Sequence, residues 1–400
     1  MHTLMPTRLL ALALGLTFLL GAGPTRVDDT PTKRQNPIKV VNLNILHGID
    51  CDPPLPAHGD QCRVHDRIDL LRQHLIAAGC PDLVTLQENV TSEIVQRTPT
   101  EFVGPLEDTT ALIADSLPAL TAACAFPYQV VFDPAAVRPP QLGRGIDEEL
   151  ILTRYPVLKV EVLPLYGPLV PLFFRHVLYA RIDHPAGPVD VFTTHLASDS
   201  DFASLPCGIN MLPPPLVSPT CPAECVAFAD TVRECQAKQM ARFIESRHDV
   251  PEPAVVTGDF NAEPGSPEYL EFTDRGWIDS HLAAGNPECE PATGVGCTTG
   301  RIDTNLSDLE STALHVNKRT DFIFVVPAEE GARCAGVIQR RRQGTTTGLF
   351  AGEPNPFAPA CGAFPLPICW ASDHNGNQLN LACTEALRRA GEVVLKRSAK

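Results

Sequence analysis

Val255-Val256-Thr257-Gly258-Asp259-Phe260-Asn261 carries an apolar, β-branched run into a tight turn and presents an Asp and an Asn two positions apart. Such a run, bounded by Gly, reads as a buried strand. Residues i and i+2 of an extended chain point to the same side, so Asp259 can hold a cation or a water while Asn261 donates an amide hydrogen to the same substrate. A phosphate group suits both. Asp and Asn also close strand-end turns by bonding nearby backbone, and this stretch alone leaves that plainer reading open.

Other polar groups leave apolar strands in the same way. Asn44 follows Ile38-Lys39-Val40-Val41-Asn42-Leu43, and Glu88 closes Asp82-Leu83-Val84-Thr85-Leu86-Gln87. His195 ends Val189-Asp190-Val191-Phe192-Thr193-Thr194, Asp321 opens Phe322-Ile323-Phe324-Val325-Val326, and Asp373-His374 follows Trp370-Ala371-Ser372. One acid or His at a strand end is commonly a solvated cap. The whole set supplies hard oxygen ligands for a divalent cation, imidazoles for proton transfer and amides for an anion, and together they read as one site.

Strands are expected over residues 38–46, 82–87, 129–133, 149–153, 176–183, 189–194, 254–259 and 321–326, each apolar and bounded by Pro, Gly or Asp. Helical spacing of Ile68, Leu71, Leu75 and Ala78 predicts a helix over 67–78, and Met240, Phe243 and Ile244 predict another over 232–246. With 44% hydrophobic residues in 400 and neither a repeat nor a long linker, one α/β domain over 38–390 is expected.

Residues 1–23 have the layout of a secretory leader: Arg8, an apolar run from Leu9 to Leu20, then Gly21-Ala22-Gly23. An uncleaved anchor is the alternative. Residues 24–37 read as a flexible polar tail. All 14 cysteines lie beyond the leader, an even number that suits an oxidising compartment and so a secreted or extracytoplasmic protein. Cys51 with Cys62, Cys225 with Cys235, Cys289 with Cys297 and Cys361 with Cys369 are close enough in sequence to clip loops. Metal binding by Cys221 and Cys225 is disfavoured, because no second thiol pair stands at matching spacing.

The motifs Asn44-Ile45-Leu46-His47-Gly48, Pro81 to Glu88, Ile151-Leu152-Thr153-Arg154-Tyr155-Pro156-Val157, Thr194-His195-Leu196, Gly258 to Asn261, Arg319 to Phe324 and Ser372-Asp373-His374 stand in an order that resembles the endonuclease/exonuclease/phosphatase superfamily. That superfamily includes DNase I-like nucleases, neutral sphingomyelinases and inositol polyphosphate phosphatases. The resemblance implies a four-layered α/β/β/α sandwich of two mixed sheets, with catalytic groups at one end. It implies hydrolysis of a phosphate ester by water with the help of Mg²⁺ or Mn²⁺. Glu88, with Asn44 beside it and Asp373 opposite, would hold the metal. His374, oriented by Asp321, would take the proton of the attacking water, Asp259 would orient that water, and His195 and Asn261 would donate to the phosphoryl oxygens. Either His374 or Asp259 can be called the base. Asn42 is set aside in favour of Asn44, His47 reads as a turn residue, and Arg154 as the structural partner of a carboxylate. Asp147-Glu148-Glu149 departs from the small polar pair common in relatives and adds negative charge near a phosphate site.

Two Cys- and Pro-rich insertions, 198–231 and 343–370, flank His195 and Asp373. The second carries Phe350, Phe357, Phe364, Leu366, Ile368 and Trp370. These could touch a membrane surface transiently or form a small satellite core. A formal net charge of -15 disfavours a broad cationic track for nucleic acid, although Arg340-Arg341-Arg342 and Lys318-Arg319 offer local patches. Charge does not decide the substrate. The aromatic insertion before Asp373 lies where bacterial sphingomyelinases carry a membrane-touching hairpin, and that resemblance implies a phospholipid head group or other small phosphodiester, with DNA the alternative. A non-catalytic binding module is the remote one, and no protein partner is inferred.

Overall fold

The computed structural model describes residues 37–46, 61–91, 107–132, 148–167, 175–199, 202–211, 219–227, 229–301, 308–313, 315–330, 332–334, 336–339, 347–358, 361 and 367–383. All belong to the compact unit Asn36–Lys400. The leader, His47, Cys51, Asp147, Arg340-Arg341-Arg342, Phe364 and Leu366 lie outside the described residues.

Two mixed sheets face each other. The first has the order β11-β13-β1-β2-β4-β3, with β12 also paired to β13. Its strands are β1 (Ile38–Asn44), β2 (Leu83–Asn89), β3 (Gln129–Val131), β4 (Glu148–Thr153), β11 (Val337–Ile338), β12 (Gly348–Phe350) and β13 (Gly376–Ala382). The second has the order β5-β6-β7-β8-β10-β9: β5 (Val157–Pro164), β6 (His176–His184), β7 (Gly187–His195), β8 (Ala254–Asp259), β9 (Ile278–Asp279) and β10 (Asp321–Val326). β1 runs parallel to β2 and β7 parallel to β8, while the remaining pairs are antiparallel.

Period-two alternation of apolar residues builds the layers. Ile38 and Val40 of β1, Val189 and Val191 of β7, Val255 of β8 and Ile323 and Val325 of β10 meet in one cluster between the sheets. Their neighbours face outward. Val41 and Leu43 pack under α1 (Val64–Ala77) and α2 (Thr109–Cys124), and Val256, Phe322 and Phe324 pack under α4 (Val232–Arg247) and α5 (Pro267–Thr273). Among the described residues, α3 (Ala223–Val226) and α6 (Ser280–Ala283) are single-turn α-helices, and Gln61–Arg63 forms a 3-10 turn before α1.

The strands read from sequence are present, 254–259 and 321–326 unchanged and the others with ends moved by at most two residues. β5, β9, β11, β12, β13, α2, α3, α5 and α6 were not among those expectations. The insertion 343–370 contains β12, and 198–231 contains α3, so neither is wholly irregular. Phe350, Ile368 and Trp370 are buried in the cluster beneath α1, whereas Phe357 is exposed. The core reading therefore holds for those three, and they are not free to touch lipid.

Disulfides join Cys80–Cys124, Cys207–Cys221, Cys225–Cys235, Cys289–Cys297 and Cys334–Cys383. Cys62 is also disulfide-bonded. Cys221 and Cys225 are thereby closed to metal. Cys361 and Cys369, expected as a pair, are free thiols. Burial and the adjacent Cys361 push the Cys369 thiol up to about 12. This number of disulfides suits an oxidising compartment, and no helix among the described residues is long and apolar enough to cross a membrane.

Candidate active site

The alternation that makes the inter-sheet core also aims the polar groups. His195, Asp259 and Asp321 continue the inward-facing rows of β7, β8 and β10, and the register places His195 beside Asp259 and Asp259 beside Asp321. Asn44 continues the inward row of β1. Where the hydrophobic filling stops, these four side chains take its place.

Local backbone features complete the cluster. β2 carries an irregularity between Leu86 and Asn89, and Glu88 sits within it at φ 63°. A bulge of this kind re-aims a side chain, and a non-glycine residue in the left-handed region is held there by its surroundings. Asn261 is left-handed too, at φ 48°, in the turn after β8. Gly258 is required by close approach: its φ is 150°, and a Cβ there would lie 2.1 Å from the Thr194 carbonyl oxygen. That closeness brings β7 and β8 together just before His195 and Asp259.

Asp259 is the hub. Its Oδ1 accepts the Asn261 backbone N–H at 2.9 Å. Its Oδ2 accepts from Asn44 Nδ2 at 3.1 Å and lies 3.5 Å from His195 Nε2 and 3.8 Å from His374 Nε2. Asn44 Nδ2 also donates to Glu88 Oε1 at 2.8 Å, while Asn44 Oδ1 accepts from Leu46 N at 3.0 Å. Asn44 thus braces two carboxylates. Asn261 Nδ2 donates to the Leu196 carbonyl at 2.9 Å, which fixes the amide orientation, and meets His195 Nε2 at 2.9 Å.

His374 and Asp373 arrive on the segment before β13. Nδ1 of His374 donates to Asp321 Oδ2 at 2.9 Å, which leaves Nε2 facing Asp259, Asp373 Oδ2 at 3.7 Å and the Thr299 hydroxyl at 3.2 Å. The Ser372 hydroxyl lies 2.6 Å from the Asn44 carbonyl oxygen and so ties this segment to the end of β1. Burial opposes charge on His374, yet the carboxylates of Asp321, Asp373 and Asp259 outweigh it and hold the imidazole well above its ordinary pKa. Burial pushes the Asp321 and Asp373 carboxyls up; His374 works against the rise, while Asp259 adds to it for Asp321 and Glu88 for Asp373.

All eight residues singled out in the sequence, Asn44, Glu88, His195, Asp259, Asn261, Asp321, Asp373 and His374, are therefore brought into one cluster. A divalent cation fits it. Glu88 and Asp373 present carboxylate oxygen, the ligand type that Mg²⁺ and Mn²⁺ take, and a cation would offset the charge that burial and the nearby Glu88 disfavour on Asp373. Carboxylate oxygens of Asp259 and Asp321 and a nitrogen of His374 also fall within 4.8 Å of one another. A groove of about 420 Å³ lined by His74, His281, Asn286, Leu349 and Gln378, among others, shares none of these residues.

Several neighbours were misread or missed. Glu149, expected to add negative charge near the phosphate site, is buried; its Oε1 accepts the His195 backbone N–H at 2.8 Å and its Oε2 pairs with His176. Asn42 is committed between the sheets, accepting from Thr85 and Gln87. Arg154 pairs with Asp82 as expected. Arg319 is fully buried against Asp279 and Glu288, so of that patch Lys318 alone is exposed. Thr299 and Arg301 had no signal in the sequence, because both act from a loop that long-range folding brings to His374.

Paired carboxylates, a His–Asp couple and amides at one end of a two-sheet sandwich define a phosphoesterase-type centre. The profile of the Endonuclease/Exonuclease/phosphatase family matches residues 41–374. The chain belongs to that family, whose members are phosphoesterases with a general dependence on divalent metal, and it is an enzyme of that class. Among solved structures it is similar to an endonuclease/exonuclease/phosphatase from Bacteroides vulgatus, at 19% identity and TM-score 0.50, covering 87% of this chain and 99% of that one. A family protein from Bacteroides thetaiotaomicron gives 14% identity and TM-score 0.50 over 88% and 99% of the two chains. A mannosyl-6-phosphatase from the latter organism gives 14% and 0.48 over 86% and 99%. The first two likenesses show the shared two-sheet fold. No curated protein matches the chain.

Proposed function

We propose that this protein is a secreted phosphodiesterase that uses Mg²⁺ or Mn²⁺ to hydrolyse a small phosphodiester, a phospholipid head group included. The observation that carries the reading is the position of Asp259 Oδ2, within 4 Å of Asn44 Nδ2, His195 Nε2 and His374 Nε2. A water held there has a carboxylate to orient it and an imidazole to receive its proton. Nδ1 of His374 is committed to Asp321, so Nε2 is the nitrogen that takes the proton and Asp321 stabilises the resulting imidazolium.

Glu88 and Asp373 would hold the metal, with Asn44 fixing the Glu88 carboxylate. An ion bound there would offset the charge of Asp373 and of the phosphoryl oxygens, so that His374 would hold its proton less tightly. His195, whose Nδ1 lies 3.9 Å from Glu88 Oε1, and Asn261, whose Nδ2 meets His195 Nε2 at 2.9 Å, would meet the phosphoryl group as charge develops on it. The net charge of -15 and the burial of Arg319 favour a small diester over a long nucleic acid.

One panel tests this: phosphocholine release from sphingomyelin vesicles, hydrolysis of bis-p-nitrophenyl phosphate, and nicking of plasmid DNA, each with Mg²⁺ and with EDTA. Metal-dependent turnover of either of the first two, lost in Glu88→Gln and in His374→Ala, is expected. Full rate in both variants would overturn the site, and plasmid nicking alone would replace the substrate.

A further inference from the structure

Arginines packed into this protein find two kinds of partner, carboxylates and carbonyls. Arg63 pairs with Asp66 and Glu310, Arg181 with Asp190 and Asp249, and Arg319 with Asp279 and Glu288. Buried Arg67 donates to the carbonyls of Cys62, Ile45, Leu46 and Ala371, and Arg301 is a second buried arginine that meets carbonyls. Its NH1 donates to the carbonyl oxygens of Asp373 at 3.2 Å and Ser372 at 3.5 Å, and its NH2 donates to Asn375 Oδ1 at 2.8 Å. No carboxylate among the described residues forms an ion pair with it. The guanidinium instead stacks 3.6 Å from the centre of the Trp370 ring, and Trp370 is itself anchored by Nε1 donating to the Ser311 carbonyl at 2.8 Å.

Burying a cation without an ion pair is costly. Here burial draws the Arg301 guanidinium down to about 10. What the guanidinium secures is the Ser372 and Asp373 carbonyls and the Asn375 side-chain amide, which bracket Asp373 and His374. Two residues earlier, the Thr299 hydroxyl meets His374 Nε2 at 3.2 Å. The chain between them passes through Gly300 at φ 129°, where a Cβ would lie 2.5 Å from Asn317 Oδ1. One short segment therefore reaches the imidazole with its first residue and the carbonyls behind it with its third. A planar fork with several donors can hold two carbonyls and an amide at once; an ammonium of similar reach cannot reproduce that geometry.

We propose that Arg301 is a positioning residue of the phosphoesterase centre, holding the Ser372–Asn375 backbone so that Asp373 and His374 keep their places. The proposal rests on the site reading above. Arg301 touches neither substrate nor metal and acts through those two residues.

The test compares wild type with Arg301→Lys, Arg301→Ala and Glu88→Gln, each shown to be folded by near-ultraviolet circular dichroism. Mn²⁺ binding is read by electron paramagnetic resonance without substrate, and turnover on bis-p-nitrophenyl phosphate is read separately. Arg301→Lys is expected to weaken Mn²⁺ binding about 10-fold or more, the scale seen when groups supporting metal ligands are altered, and to lower kcat with KM little changed. In Arg301→Ala, guanidinium chloride at tens of millimolar is expected to restore part of the lost turnover while leaving wild type unaffected, a response that a general loss of stability does not give. If Arg301→Ala does not fold, Arg301→Lys decides alone. Weakened Mn²⁺ binding in Glu88→Gln with wild-type binding and kcat in the Arg301 variants would overturn the role of Arg301 and leave the site standing. Unchanged binding in Glu88→Gln would overturn the site reading, and the proposal with it.

Discussion

Asp321 and His374 form the contact on which the proton chemistry turns. Asp321→Asn keeps the shape of the side chain but can offer an N–H to Nδ1, which drives the imidazole proton to Nε2 and removes its ability to accept one. The outcome expected from such a tautomer change is a fall in kcat on the order of 10³-fold or more, with the thermal midpoint little altered; steady-state kinetics on a chromogenic diester checks it. A fall of less than tenfold would mean that Asp259 is the base. The eight candidate side chains were legible because each stands at the end, or just beyond the end, of an apolar run, where a polar residue has a mechanical reason to exist. Glu149 was legible only as a charge. Its use, holding the His195 backbone, depends on β4 and β7 meeting across the two sheets, and nothing in the local sequence of either strand encodes that meeting.

Among the elements, helix α1 carries a titratable group that is independent of the catalytic cluster. His74 lies in its last turn, edge-on to the rings of Phe350 and Phe357, and burial lowers its pKa to about 4. The unfolded chain protonates near the ordinary value of about 6.5. Its contribution is therefore complete above pH 6.5 and is lost as pH falls from there toward 4, a span worth on the order of 3 kcal/mol. Urea unfolding followed from pH 7 to pH 4 is expected to show this slope in wild type and a shallower one in His74→Leu; equal slopes would refute it.

The elements that sequence did not predict share a cause. β13, Gly376-Asn377-Gln378-Leu379-Asn380-Leu381-Ala382, is rich in Asn and Gly, which are poor strand formers, and it is a strand because β1 and β12 pair with it on either side. α2 holds Pro118 in its interior and breaks a rule of local propensity. It is nevertheless capped by Asp108, whose side chain accepts from Ala111 N at 2.8 Å, and tied at its end by Cys80–Cys124.

For the molecule as a whole, metal and stability are linked. A cation that binds only the folded chain raises stability by about 2.7 kcal/mol at one hundred times its dissociation constant. Thermal unfolding is accordingly expected to shift upward with Mn²⁺ and return to its starting value with EDTA, and the shift is expected to vanish in Glu88→Gln. An unmoved midpoint in wild type, at metal concentrations that support turnover, would argue against binding at Glu88.

The alignment of His195, Asp259 and Asp321 across three neighbouring strands has a practical corollary. Sliding β8 by one position relative to β7 and β10 would rotate Asp259 out of the interior and bring Phe260 into its row, so no partly active intermediate arrangement exists. Turnover thus serves as a gauge of strand alignment: a preparation refolded with a slipped β8 contains silent molecules, and its specific activity counts the fraction aligned.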